Sequence, residues 1–165
     1  MSLFPIKSAF FALASLVLLP LQANAADPAL LEKAAEMAGI CAQYMPDVKA
    51  AKAAFKAAGL RSEGGEGELH IFSFEDRRVF AAITVVSAAK PRCMIAVSKM
   101  TPAEAKKLAQ VWVKPANAKP ITLEDPTVAA AWLGKFKGGP IVIVAVNNIE
   151  LNIMRGAAII ALSAK

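Results

Sequence analysis

His70 is the one histidine of this 165-residue sequence, so any mechanism that uses a histidine as general base must use it. Acidic residues flank it along the chain: Glu63, Glu66, Glu68, Glu75 and Asp76. A hydrolase that combines His70 with these acids is one interpretation. No spacing pairs a particular acid with His70, and acids in loops and turns favour solubility over catalysis. The sequence therefore assigns no catalytic residue, and a noncatalytic role is favoured over an enzyme.

A second group of residues is suited to binding anions. Lys49, Lys52 and Lys56 recur at steps of three and four, which places them on one face of a helix, and Arg61 extends the positive set. Three ammonium groups and a guanidinium within about two turns attract phosphate or carboxylate. The pattern predicts a weak ligand-binding site, and the alternative is the solvated face of an amphipathic helix.

Two cysteines, Cys41 and Cys93, offer three kinds of chemistry. They predict a disulfide if the protein is exported, because oxidising compartments allow such bonds to persist. The alternatives are two buried free thiols or a redox pair. A thioredoxin-like redox pair needs the Cys-x-x-Cys spacing, which is absent here.

Metals, cofactors and nucleic acids are not expected as ligands. One histidine and two bonded cysteines leave only carboxylates for a metal, and none has the spacing of a calcium loop. Neither Gly64-Gly65 nor Gly138-Gly139 belongs to a nucleotide-binding motif. Nucleic-acid binding requires a concentrated basic stripe with exposed aromatic residues, and the formal net charge of +6 is spread along the chain.

The first segment, Met1 to Ala25, has the layout of a cleavable secretory signal. Lys7 precedes an apolar run from Ala9 to Leu19, and the small residues Ala23 to Ala25 mark the cleavage site. A membrane anchor is the alternative, but eleven residues rise only about 16 Å as a helix, against a hydrocarbon core of about 30 Å. We expect a periplasmic or secreted protein with no transmembrane segment after cleavage, consisting of one domain over residues 26 to 165.

Helix signals divide the mature chain. Asp27-Pro28 begins a first helix, whose apolar face carries Cys41, and Pro46-Asp47 begins a second that ends at Gly59. Thr101 and Glu104 have the spacing of a capping box and begin a third helix. Between Ser62 and Glu68, glycine and glutamate predict a loop.

Six segments have the composition of strands. They are Leu69 to Phe74, Arg77 to Val86, Arg92 to Val97, Val128 to Phe136, Pro140 to Val146 and Ala157 to Ser163. The apolar run from Pro140 is continuous, which indicates a strand buried on both faces or at the centre of the sheet. From Lys114 to Thr127 an irregular connection is expected, and Asn147 to Arg155 is either a bulged strand or a loop.

The predicted fold class is α+β. An N-terminal helical pair precedes an antiparallel sheet of about six strands, built from two β-β-β runs separated by a helix. A duplicated α-β-β-β unit is an open hypothesis, since no side-chain pattern repeats. The predicted function is a small exported binding or accessory protein that uses a sheet surface or the basic helix, with an unknown protein or an anionic envelope ligand as partner. Alternatives are a structural or stress-related envelope protein and the His70 hydrolase.

Overall fold

The computed structural model describes residues 25–65, 67–85, 91–137, 139–151 and 154–163. The predicted signal segment lies outside these residues except for Ala25. The described chain forms three helices and eight strands in the order ααββββαββββ. The helices are α1 (Pro28–Tyr44), α2 (Val48–Ala57) and α3 (Pro102–Val113). The strands are β1 (Arg61–Gly64), β2 (Leu69–Phe74), β3 (Val79–Val85), β4 (Pro91–Ser98), β5 (Lys119–Ile121), β6 (Val128–Phe136), β7 (Gly139–Leu151) and β8 (Met154–Ser163).

All eight strands belong to one antiparallel sheet with the order β1-β2-β3-β4-β8-β7-β6-β5. Each half of the sheet is a four-stranded meander that follows a helix, and the halves meet where β4 pairs with β8. This arrangement has approximate two-fold symmetry about the β4–β8 seam, although no side-chain pattern repeats between the halves. The α+β class is confirmed.

The expected count of about six strands is wrong, because each half carries one more strand at its outer edge. The β1 segment is polar and rich in glycine, and β5 has three residues, one of them Pro120. Composition does not identify such edge strands, since proline is tolerated there and pairing with the neighbouring strand supplies the order. Of the Asn147 to Arg155 segment, residues 147–151 continue β7 and residues 154–155 begin β8, with a register shift between Val146 and Ile149.

Side-chain caps begin the helices where the sequence predicts them. Asp27 accepts a hydrogen bond from the amide of Ala29 at 3.0 Å, and Asp47 accepts one from the amide of Ala50 at 3.0 Å. Thr101 and Glu104 form a complete capping box at the start of α3. Such caps satisfy amides that have no partner inside the helix, so they fix where each helix begins.

The helices form one layer in which α1 packs against both α2 and α3. The N-terminal helices are therefore not a separate pair, because α3 joins them on the sheet. The indole Nε1–H of Trp112 on α3 donates to the carbonyl oxygen of Ala38 on α1 at 2.7 Å. This bond crosses the helix interface and satisfies a buried polar group. No helix in the described ranges is long and apolar enough to span a membrane.

The main core lies between the helices and one face of the sheet. Phe55 of α2 is fully buried against Phe72 of β2, with ring centroids 5.1 Å apart. A disulfide joins Cys41 of α1 to Cys93 of β4, the predicted pairing, and both residues are buried. The bond therefore fastens the helical layer to the middle of the sheet.

The opposite face of the sheet, here called the open face, is also apolar. Cross-strand partners share a face, so the register assigns its members. Its apolar residues in β2, β3, β4, β6, β7 and β8 include Leu69, Ile71, Phe80, Ala82, Met94, Ala96, Val128, Ala131, Leu133, Val142, Val144, Val146, Ile149, Ala158, Ile160 and Leu162. Phe80, Ala96 and Ala158 form a buried cluster that contains strand residues only, separate from the main core.

Candidate functional site: an apolar pocket beside the disulfide

A pocket of about 230 Å³ lies at one end of the sheet, on the face that the helices cover. The starts of β4 and β7 and the end of β8 meet there, because β8 is antiparallel to both neighbours. The last turn of α1 and Trp112 of α3 enclose the other side. The Cys41–Cys93 disulfide is part of the wall, so the bond that fastens α1 to the sheet also fixes the shape of the pocket.

The lining of the pocket is mainly apolar. It consists of Cys41, Ala42, Met45, Pro46, Pro91, Cys93, Trp112, Phe136, Lys137, Gly139, Pro140, Ile141 and Ala161. The indole N–H of Trp112 donates to the carbonyl oxygen of Ala38. The part of the ring that lines the pocket therefore provides apolar surface and no hydrogen-bond donor. The pocket volume corresponds to about eight water-sized groups at roughly 30 Å³ each. Such a pocket suits a short acyl chain or a single ring.

Among the lining residues that the structure describes, Lys137 is the one with a charged side chain. Its Nζ donates to the carbonyl oxygens of Gln43 and Met45, the latter at 2.8 Å, and lies 5.7 Å from the centroid of the Phe136 ring. These carbonyls are at the C-terminal end of α1, where a positive charge is stabilised by the helix dipole. An ammonium group has three donors, so two carbonyls leave one N–H and the charge for an anion at the pocket.

The three lysines predicted to bind anions lie on α2, away from this pocket. Lys49 and Lys56 are exposed, and Lys52 is half-buried with its Nζ 3.5 Å from Nδ1 of His70. No described acidic side chain makes an ion pair with these lysines. The helical spacing thus leaves them on a solvated surface, and their predicted role in ligand binding stays a prediction.

Arg61, the fourth member of the predicted set, belongs to a different cluster. Its Nε lies 3.2 Å from the Glu63 carboxylate, which also accepts two hydrogen bonds from Arg77 and one from the buried Ser73. Ser73 is on the open face, opposite Arg61 in the register. The structure therefore separates Arg61 from the α2 lysines and engages its charge with Glu63.

The hydrogen bonds from Ser73 and Arg77, together with the charges of Arg77 and Arg61, lower the pKa of Glu63 below its ordinary value of 4.5. The folded protein thus binds fewer protons at this group than the unfolded chain. The resulting stabilisation is complete above about pH 4.5 and is lost as the pH falls through the lowered pKa.

We expect Glu63→Gln to lower the melting temperature at pH 7, because it removes the charged acceptor of both arginines. The difference from the unmodified protein should shrink in acid, where Glu63 is protonated. Thermal unfolding followed by circular dichroism across this pH range measures the effect, and Glu124→Gln, a change of an exposed acid, is the control. A difference that is the same at every pH would contradict the assignment.

His70 lies on β2, on the helix-facing side, where its Nδ1 is 3.5 Å from the ammonium nitrogen of Lys52. Among the described acids that flank it in the sequence, Glu63 contacts Ser73 and two arginines instead. In the described ranges, no group of three or more histidine, cysteine or acidic side chains is placed to hold a metal. The geometry therefore adds no support to the hydrolase interpretation.

Sequence reasoning did not identify Lys137 or the pocket. Lys137 is separated by more than ninety residues from the carbonyl groups it contacts, and only the fold brings them together. The disulfide was the one available signal, because it predicts that the end of the first helix lies near the third predicted strand.

No protein-family model, curated protein or solved structure matches this chain. A function for it therefore has to follow from its own residues.

Proposed function

We propose that the protein is an exported, noncatalytic binding protein whose ligand is a small amphipathic anion. The ligand's apolar part occupies the pocket beside the Cys41–Cys93 disulfide, and its carboxylate or similar group contacts Lys137. The observation that carries the proposal is the combination of a mainly apolar lining with the ammonium group of Lys137, the one charged group among the described lining residues.

The anionic group of the ligand is bound by the charge of Lys137, and its apolar part is bound by burial in the pocket. Burying apolar surface contributes about 25 cal/mol per Å², which gives affinity without specificity. A charge-assisted hydrogen bond to a carboxylate is about twice as strong as a neutral one, and it selects the orientation of the ligand. The pocket is rigid on one side because the disulfide and the Trp112 hydrogen bond fix its wall.

Export fits the chemistry of the wall. A disulfide persists in an oxidising compartment and is rare in the cytosol, so a structural bond beside the ligand suits the periplasm or the cell exterior. The proposed signal segment at residues 1 to 25 would deliver the chain there.

Octanoate and 1-octanol form a matched pair of probes, since they share an eight-carbon chain and differ in charge. We expect isothermal titration calorimetry to show that octanoate binds about fivefold to tenfold more tightly than octanol, as one partly exposed ionic contact contributes about 1 kcal/mol. In Lys137→Met the preference should disappear, while octanol affinity stays nearly unchanged.

Lys135→Met is the matched control, because Lys135 is exposed near the end of β6, two residues before Lys137, and does not line the pocket. It should leave the preference for octanoate intact. Lys137→Met is also expected to lower stability by about 0.5 kcal/mol through loss of the helix-end contact, so affinity is compared well below the melting temperature. Failure of both probes to bind, or equal loss in the two lysine variants, would overturn the proposal.

A further inference from the structure

The disulfide is the main anchor of the last turn of α1. The fully buried residues earlier in the helix are Leu30, Ala34, Met37 and Ala38, which belong to the main core. After Ala38, Cys41 is the one buried residue of the helix. The core therefore fixes the first turns of α1 whether or not the bond is present, whereas the last turn depends on the bond for its position against the sheet.

The other end of the bond is fixed by the sheet. Cys93 lies on β4, where it is opposite Ile83 of β3 on one side and Ala161 of β8 on the other. A strand with a neighbour on each side is held by backbone hydrogen bonds in both directions, and displacing it would leave those groups without partners. Opening the disulfide therefore displaces the end of α1 and leaves β4 in place.

Lys137 depends on the same turn of α1. Its Nζ donates to the carbonyl oxygens of Gln43, in the last turn, and of Met45, which directly follows the helix. These contacts are exposed, so water competes with them and they anchor the turn less firmly than a covalent bond. Ala42 and Met45 also line the pocket. A displaced turn therefore changes the apolar wall and the position of the ammonium group together.

Given the proposed function, on which this inference rests, we infer that the Cys41–Cys93 bond is a redox switch for the pocket. The oxidised protein binds its amphipathic anion, and reduction by a small dithiol releases it. Both cysteines line the pocket, so the dithiol approaches the bond through the space that the ligand fills. The protein is the target of the reductant in this reaction and not a catalyst of it.

The reaction consists of two thiol–disulfide exchanges. A thiolate of the dithiol attacks one Sγ atom and bonds to it, while the bond between Cys41 and Cys93 breaks and the other cysteine leaves as a thiolate. The second thiol of the reductant, as its thiolate, then attacks the reductant's sulfur in the mixed disulfide. This step closes the disulfide of the reductant and releases the first cysteine. Two electrons and two protons pass from the dithiol to the protein, whose cysteines become thiols.

Ligand binding and the disulfide are coupled in both directions. If reduction weakens octanoate binding by a given factor, saturating octanoate shifts the equilibrium with a dithiol toward the oxidised protein by the same factor. We expect a factor of about ten, within the range usual for coupled sites. Isothermal titration calorimetry with and without excess dithiothreitol measures the first effect. Mass spectrometry of alkylated thiols, after equilibration with mixtures of reduced and oxidised dithiothreitol, measures the second.

Two variants separate the switch from a general loss of stability. Cys41→Ala combined with Cys93→Ala should bind octanoate as weakly as the reduced protein and should not respond to dithiothreitol. Gly156→Ala destabilises the sheet with the bond intact, because its new Cβ would crowd the backbone of β4. It lies about 16 Å along β8 from the pocket residue Ala161, at about 3.3 Å per residue. It should bind octanoate as the unmodified protein does and lose affinity on reduction.

The outcomes distinguish the switch from the proposed function. Equal octanoate affinity of the oxidised and reduced protein would overturn the switch and leave the proposed function standing. Loss of the near-ultraviolet circular dichroism on reduction would also overturn it, because release would then be general unfolding. Failure of octanoate to bind the oxidised protein would reject the proposed function and the switch with it.

Discussion

Replacing Cys41 and Cys93 together by alanine is expected to lower the free energy of unfolding by about 4 kcal/mol, the largest effect that we predict. The bond closes a loop of 52 residues in the unfolded chain, and chain entropy then favours the folded state by that amount. Alanine is preferred to serine because both positions are buried, where a hydroxyl group without a partner would add its own cost.

Urea unfolding of the oxidised protein and of the double variant measures this loss. The melting temperature should fall by roughly 10 to 15 °C, given the usual scaling for a domain of this size. Each single variant should lose nearly as much as the double variant, since either change removes the same bond. Equal stability of the oxidised protein and the double variant would show that the bond does not constrain the chain.

Gly156→Ala is expected to destabilise the protein by about 3 kcal/mol, the upper end of the range for overpacking. A Cβ at this position would lie 2.1 Å from the carbonyl oxygen of Val97 and 3.1 Å from the amide nitrogen of Lys99. Both are backbone atoms at the β4–β8 seam, so neither can move aside without disturbing the pairing that joins the two halves of the sheet.

Gly139→Ala is the matched control, because the nearest atom to its new Cβ would be the Phe136 carbonyl oxygen at 3.8 Å, an ordinary contact. Chemical denaturation should therefore show a large loss for Gly156→Ala and a small change for Gly139→Ala. Similar losses in the two variants would mean that close approach at the seam is not what requires glycine at position 156.

Local signals in the sequence predicted most of the regular structure. The Asp27, Asp47 and Thr101 caps locate three helix starts, and β-branched or aromatic runs locate six strands, two of them, Leu69–Phe74 and Val128–Phe136, with their observed bounds. The edge strands β1 and β5 were not predicted, because they are strands only through pairing with β2 and β6, and local composition does not encode that pairing.

Less of the candidate site was predictable. The expectation of an oxidising compartment predicted the Cys41–Cys93 disulfide, which the structure contains. The lysine spacing on α2, by contrast, describes only one helix face and does not show which residues lie beside it. Lys137 became a candidate only because the turn between β6 and β7 meets the end of α1. Contacts between residues so distant in sequence are set by topology. A lysine at position 137 therefore does not by itself predict a contact with the end of α1.

Chemical-shift mapping during an octanoate titration tests the ligand pocket most directly. In two-dimensional NMR spectra we expect saturable shifts of the Trp112 indole N–H and of the methyl groups of Ile141 and Ala161, which line the pocket. The methyl groups of Met94 and Ala158 on the open face should not shift. Saturable shifts confined to the open face, or no shifts at all, would contradict the account.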